Sequence, residues 1–179
     1  MNMNTLELDE KLILRMAEGD NDAFRDLYQQ TCSSVYGFAL SILRNVHDAE
    51  NVMHDAYIRI HKSASAYQPM GKPMAWILTI VRNLCYTRLK SGDISEDIAE
   101  YEGLLQISEQ DRTVDRMVLQ KALEVLPFED RQIVILHALT GMKHREIAEL
   151  LDMPLGTVMS KYKRSLAKMR KEIEGRGEE

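Results

Sequence analysis

Residues 141–171, GMKHREIAELLDMPLGTVMSKYKRSLAKMRK, constrain the fold of this chain more than any other stretch. They read as two helices joined by a tight turn. Ile147, Ala148, Leu150 and Leu151 give the first helix its apolar side, and Ala148 is small enough to let a second helix cross closely. In the second helix, Leu155, Val158, Tyr162, Leu166, Met169 and Ile173 recur at steps of three and four, which makes one helical stripe. Pro154 has no backbone N–H and suits the first turn of that helix. At about 100° per residue, Thr157, Ser160, Lys161, Arg164, Lys168 and Lys171 fall together on another face, with no acid among them. A stripe that docks on a core, opposed by hydroxyls and cations, is what a helix needs to enter a DNA major groove. On spacing alone the plainer reading stays open, an amphipathic hairpin with a solvated basic face.

With 179 residues there is room for one domain or two small ones. No apolar run approaches the roughly 20 residues of a membrane helix. The amino terminus, MNMNTLELDEKL, lacks a basic segment followed by an apolar one, so a cytoplasmic protein is expected. Cys32 and Cys85 sit among apolar residues and form no Cys-x-x-Cys pair, so both are expected to be small buried hydrophobes. The net charge of −5 argues against DNA until it is divided along the chain. Residues 1–90 hold 10 Lys and Arg against 10 Asp and Glu; residues 91–115 hold 1 against 8; residues 116–179 hold 12 against 10. The acid is concentrated in the middle, and local charge sets local affinity for phosphate.

Most segments carry a helical period, with no hairpin signal. Helices are predicted at about 8–18, 21–44, 47–66, 72–90, 113–125, 128–139, 143–151 and 155–174. Asp20 or Asn21 suits the N-cap of the second. Residues 91–112, SGDISEDIAEYEGLLQISEQDR, read as an acidic linker. The expected fold class is therefore all-α: two small helical domains, 1–90 and 113–179, joined by the linker, the second a helix-turn-helix domain.

Two further helices carry distinct faces. In 47–66, Ala49, Val52, Met53, Ala56, Ile60 and Ala64 form a core stripe, while Asn51, His54, Asp55, Ile58 and Lys62 lie opposite. An isolated exposed Ile is ordinary, but one ringed by hydrogen-bonding groups also suits the apolar centre of a protein-binding face. In 73–90, Met74, Ile77, Ile80, Val81, Leu84 and Cys85 form the stripe, and Thr79, Arg82, Asn83, Tyr86 and Lys90 share the other side. An aromatic amid donors and cations suits unstacked DNA, though a solvated helix face has the same composition.

Taken together, three segments resemble bacterial sigma factors of the extracytoplasmic-function (ECF) type, small members of the sigma-70 family. AFRDLYQQTCSSVYGFALSILRNVHDAENVMHDAYIRIHKS resembles their first conserved region. PMAWILTIVRNLCYTRLK resembles the Trp-x-x-x-Ile-x-x-Asn helix that follows. LPFEDRQIVILHALTGMKHREIAELLDMPLGTVMSKYKRSLAKMR resembles their carboxy-terminal domain, with its Glu-Ile-Ala and Pro-x-Gly-Thr-Val. The resemblance implies a transcription initiation factor that joins core RNA polymerase, directs it to promoters and helps open the DNA, without covalent chemistry. It implies that Asp48, Glu50, Asn51, Asp55, Ile58, Arg59 and Lys62 meet the clamp helices of the largest catalytic subunit. It assigns the minus-10 element to Tyr67, Lys72, Trp76, Thr79, Arg82, Asn83, Tyr86 and Lys90. Thr157, Ser160, Lys161, Lys163, Arg164, Lys168 and Lys171 fall to the minus-35 element. The linker matches a segment that threads toward the RNA exit path. Implied partners are core polymerase, including its flap, promoter DNA and an anti-sigma factor; a monomer with no cofactor, no metal and no membrane insertion is expected. Thr87, Met159 and His54 depart from residues common in the family, Asp, a basic residue and Gln.

A stand-alone helix-turn-helix regulator, with an amino-terminal effector or dimerisation domain, explains the hairpin but leaves residues 48–90 without a role. An enzyme acting on nucleic acid lacks support in the sequence: no Gly-rich phosphate loop, metal cluster or nucleophile–base pair is visible.

Overall fold

The computed structural model describes residues 8–91 and 123–175. All regular structure among them is helical: α1 (Lys11–Ala17), α2 (Asn21–Leu43), α3 (Val46–Ser63) with a 3₁₀ turn at Ala64–Ala66, α4 (Pro73–Ser91), α5 (Phe128–Thr140), α6 (His144–Leu151) and α7 (Leu155–Glu174). Most of the expected acidic linker, and most of the helix expected at 113–125, lie outside the described residues. No described helix is long and apolar enough to cross a membrane.

The boundaries follow from local chemistry. Asp20 caps α2, its carboxylate accepting from the N–H groups of Asp22 (2.9 Å) and Ala23 (3.1 Å). Arg44 ends α2 in the left-handed region at φ 54°, and Asn45 caps α3 by accepting from Asp48 N–H at 2.9 Å. Pro73 opens α4, where its missing donor costs nothing. Gly141, at φ 67°, ends α5 with a left-handed cap. The Glu146 carboxylate reaches back to Lys143 N–H at 2.8 Å and fixes the start of α6. Pro154 sits at the N-cap of α7 rather than inside its first turn as expected, because its carbonyl accepts from Thr157 and Val158 N–H.

α2 is the central helix, flanked by α1, α3, α4 and α5. That explains why every residue from Gly37 to Leu43 is buried, on all sides of the helix. Leu27, Phe38, Ala56, Ile60, Ile77 and Val81 fill the core among α1–α4. Ile133, Leu136, Ile147 and Val158 continue the same buried cluster among α5–α7. The two groups of helices touch: α5 lies along α2, where Ser34 Oγ donates to the Leu139 carbonyl at 2.9 Å, and α4 meets α6.

The expected stripe on α7 is only partly the buried one. Val158 and Met169 are buried and Tyr162 is half-buried, but Leu155, Leu166 and Ile173 are exposed. The helix is rolled toward Ser165, which is fully buried and returns its hydroxyl to the Lys161 carbonyl at 2.8 Å. A small self-satisfied hydroxyl allows close packing, so the buried side includes a residue that hydrophobicity alone passes over. Cys85 is buried as expected, and burial pushes its thiol up to about 12; Cys32 is only half-buried.

Candidate nucleic-acid interface

Three surfaces carry the residues singled out from sequence. The first is α4 with the loop before it. Trp76, Thr79, Asn83, Tyr86 and Lys90 follow one line along α4, and Arg82 lies beside them with its guanidinium 5.0 Å from the Tyr86 ring centre, a cation–π contact. Thr79, Asn83 and Lys90 are exposed, whereas Arg82, Tyr86 and Trp76 are half-buried. Tyr67 differs from expectation. Its ring is buried, edge-on to Trp76 at 5.0 Å, and its hydroxyl donates to Glu10 at 3.1 Å. Burial, with the Glu10 carboxylate beside it, pushes that phenol up to about 12. Tyr67 therefore shapes the loop rather than offering a ring to a base. Lys72 is exposed but pairs with Glu149 of α6 at 2.8 Å, and this contact holds the Glu149 carboxyl below its usual range. Between α4, the loop and α6 lies a cleft of about 450 Å³ lined by Tyr67, Met70, Trp76 and Thr79 on one side and Glu146, Glu149 and Leu150 on the other.

The second surface is α7. Ser160, Lys163, Arg164, Lys168 and Lys171 are exposed, and Thr157 is half-buried. Lys161 departs from the expected acid-free face. Its ammonium turns back to the start of α5, 2.9 Å from Asp130 and 3.0 Å from Glu129, and the two carboxylates raise its pKa. With its charge already matched, Lys161 holds α7 to α5. The sequence hid this because the acids lie 31 and 32 positions earlier.

The third surface is α3. Glu50, Asn51, His54, Asp55, Ile58, Arg59 and Lys62 are exposed, with Ile58 at 54%. Asp48 does not share this exposed face. Its side chain is buried and accepts from Arg88 Nη2 at 2.7 Å and Nε at 3.1 Å, so it braces α3 against α4. Beside Ile58 a groove of about 520 Å³ runs between α3 and the start of α2. Its aromatic wall was not foreseen: Tyr28 packs 4.6 Å from Tyr57, and Phe24 stands edge-on to His61 at 5.3 Å. Tyr57 is buried and shares a 2.7 Å hydrogen bond with Thr31 of α2. The ring at 57 belongs to the same stripe as Val52, Ala56 and Ile60, a signal that was present in the spacing.

Another unforeseen group lies under the helix-turn-helix. His137 and His144 stack at 4.7 Å, and Tyr162 stands edge-on to both. The group joins α5, α6 and α7. Among the described residues no cluster of His, Cys, Asp and Glu could hold a metal ion.

Residues 27–93 match the family model described as Sigma-70 region 2, and residues 116–169 match that for Sigma-70, region 4. The chain is 27% identical to the ECF RNA polymerase sigma factor SigW of Bacillus subtilis (strain 168), across 92% of this chain and 96% of that protein. It is 29% identical to the ECF RNA polymerase sigma factor SigK of Mycobacterium sp. (strain KMS), across 89% of this chain and 86% of that one. Among solved structures, CnrH in complex with the cytosolic domain of CnrY aligns with a TM-score of 0.66 at 20% identity, covering 93% of this chain and 97% of CnrH. The sigma factor RpoE in complex with the anti-sigma factor NepR, from Bartonella quintana, gives 0.65 at 20% identity, covering 84% and 98%. These two are likenesses of fold.

Proposed function

The chain belongs to the sigma-70 family as an ECF-type RNA polymerase sigma factor, and from that premise we propose how its surfaces divide the work. Residues 1–90 bind core polymerase through α3 and engage the minus-10 element through the loop at 67–72 and α4. Residues 113–179 read the minus-35 element through α7, and the acidic segment at 91–112 joins the two. The work is binding and strand separation, with no covalent step. An anti-sigma factor that covers these surfaces is the expected regulator, since two proteins of similar fold are seen in complexes of that kind or with a partner's cytosolic domain.

One observation carries this reading. A line of exposed donors and a cation on α4, flanked by Arg82 and Tyr86, shares the chain with the exposed basic face of α7. Two separate DNA-facing surfaces suit a bipartite promoter. Ile58, ringed by Asn51, Asp55 and Lys62, is the centre of the polymerase-facing surface. Transcription of genomic DNA by core polymerase plus this protein, with start sites mapped, should return two upstream elements of fixed spacing. A single element, bound equally well without polymerase, would instead mark a stand-alone regulator. Reversing charge at Asp55 together with Ile58→Asp should abolish co-purification with core while leaving the circular dichroism intact, because both side chains point away from the α3 core stripe. Unchanged core affinity in a folded variant would move the polymerase-facing surface elsewhere.

A further inference from the structure

The loop carrying Gln68, Pro69 and Met70 is held at both ends by one oxygen. Glu10 stands immediately before α1, and its Oε2 accepts from Tyr67 Oη at 3.1 Å and from Gly71 N–H at 3.0 Å. Between these fixed ends the three residues are exposed, Met70 at 76%. Gly71 takes φ +70°, a backbone conformation that L side chains rarely adopt and that favours glycine, and it aims the second donor. α1 is itself anchored by buried Leu12, Ile13 and Met16. The clasp therefore refers the loop tip to the core of the bundle and not only to the helices that flank it in sequence. α1 lies outside both segments, 27–93 and 116–169, that match the sigma-70 region models.

We propose that Glu10 is a positioning residue for promoter recognition: by clasping Tyr67 and Gly71 it fixes the tip at 68–70 in one conformation and so sets the base preference at the minus-10 element. The inference rests on the reading of residues 67–90 as the minus-10 surface. Its physical basis is preorganisation. A free loop regains backbone freedom at every residue released, and a flexible reader discriminates less between bases because it can repack around a wrong one. The Gly71 bond is exposed and the Tyr67 bond only partly buried, so their loss should disturb the loop far more than the global fold.

The role of the carboxylate as acceptor can be separated from its charge. Gln at this position keeps a carbonyl oxygen that accepts from both donors but carries no charge, whereas Ala removes acceptor and charge together. The test is transcription by core polymerase with the full-length factor on promoters randomised at the minus-10 or the minus-35 element. A best-to-worst base ratio on the order of tenfold at the most selective minus-10 position should fall to about twofold in Glu10→Ala and survive in Glu10→Gln. Minus-35 preference should not move in either. Tyr67→Phe, which drops one of the two bonds and keeps the ring, should fall between them and serves if Glu10→Ala does not fold. Three results overturn the proposal: a folded Glu10→Ala with an unchanged minus-10 profile, equal changes in Ala and Gln, or equal flattening of both elements. Gln68→Ala and Met70→Ala separate it from its premise. If they also leave minus-10 preference untouched, the loop is not part of the reader and the proposal falls with that reading; if they flatten it while Glu10→Ala does not, the clasp alone is wrong.

Discussion

Asp48 shows how a single residue can be placed on the right helix and given the wrong neighbour. Helical spacing put it on α3, but its partner Arg88 is 40 positions away on α4, and no local pattern announces such a pair. Energetics decide what each member does. The Asp48 side chain is 2% exposed and that of Arg88 34%. Arg88→Ala leaves a carboxylate buried without its cation and should cost about 3–5 kcal/mol. Asp48→Ala frees a guanidinium that already reaches solvent, so it should cost clearly less. Chemical denaturation of both variants measures the difference, and no loss in Arg88→Ala would mean that the pair is no brace. His144 offers a pH counterpart. Burial, then the proximity of His137, lowers its pKa from 6.5. The folded state thus binds fewer protons than the unfolded chain. Its contribution to stability is complete above 6.5 and is lost as pH falls through the lowered folded value. His144→Phe keeps an aromatic between His137 and Tyr162 and cannot protonate. Its melting temperature should fall less steeply than wild type between about pH 7 and pH 5, given the ordinary imidazole range. Parallel slopes would remove His144 from the acid response.

Elements were more legible than residues, because a helix needs only its own period and caps. Every described helix lies within a few residues of its predicted span, and Asp20, Gly141 and Glu146 mark boundaries with atoms that sequence could nominate. Faces were less certain wherever tertiary packing chose between two adjacent stripes. On α7 the aliphatic residues suggested one docking side, yet buried Ser165 and the Lys161 pairs with Glu129 and Asp130 rolled the helix away from Leu155, Leu166 and Ile173. That roll sharpens what α7 should do on DNA. Arg164 is exposed on the same side as Ser160, where a guanidinium can grip guanine O6 and N7, a contact worth about 1–3 kcal/mol against a wrong base. Lys168 and Lys171 lie further along, placed to pass the backbone and add affinity without sequence information. Arg164→Ala should therefore relax preference within the minus-35 element. Lys168→Ala should weaken all promoters alike and make the salt dependence shallower. Promoter-library transcription at two salt concentrations reads both, and the reverse pattern would mean that the helix enters the groove with the opposite polarity.

At the scale of the molecule, the arrangement of the two helical groups sets a condition on activity. Elements named minus-10 and minus-35 stand roughly 25 base pairs apart, about 80 Å along B-DNA at 34–36 Å per turn. In this structure α4 and α6 touch, the Lys72 ammonium lies 2.8 Å from Glu149, and α5 packs along α2. Carboxylates of α6 face the α4 side of the cleft, where a nucleic-acid phosphate would otherwise meet Lys72. With the groups packed together, reading both elements at once through α4 and α7, as proposed, requires the groups to part. Chain length permits it, since 31 residues, 92–122, separate the two groups, at most about 110 Å of chain. Separation exposes the apolar faces of α2 and α5, a cost that contacts with polymerase and promoter must offset. Joining Lys72→Cys to Glu149→Cys with a short bismaleimide, in a Cys32→Ser background, would hold the groups together. The joined protein should lose transcription from duplex promoters carrying both elements relative to the same double variant left unjoined, whose own activity sets the reference for the missing Lys72 charge. Full activity after complete joining would show that the readers work without parting, and the assignment of α4 and α7 to separate elements would have to be abandoned.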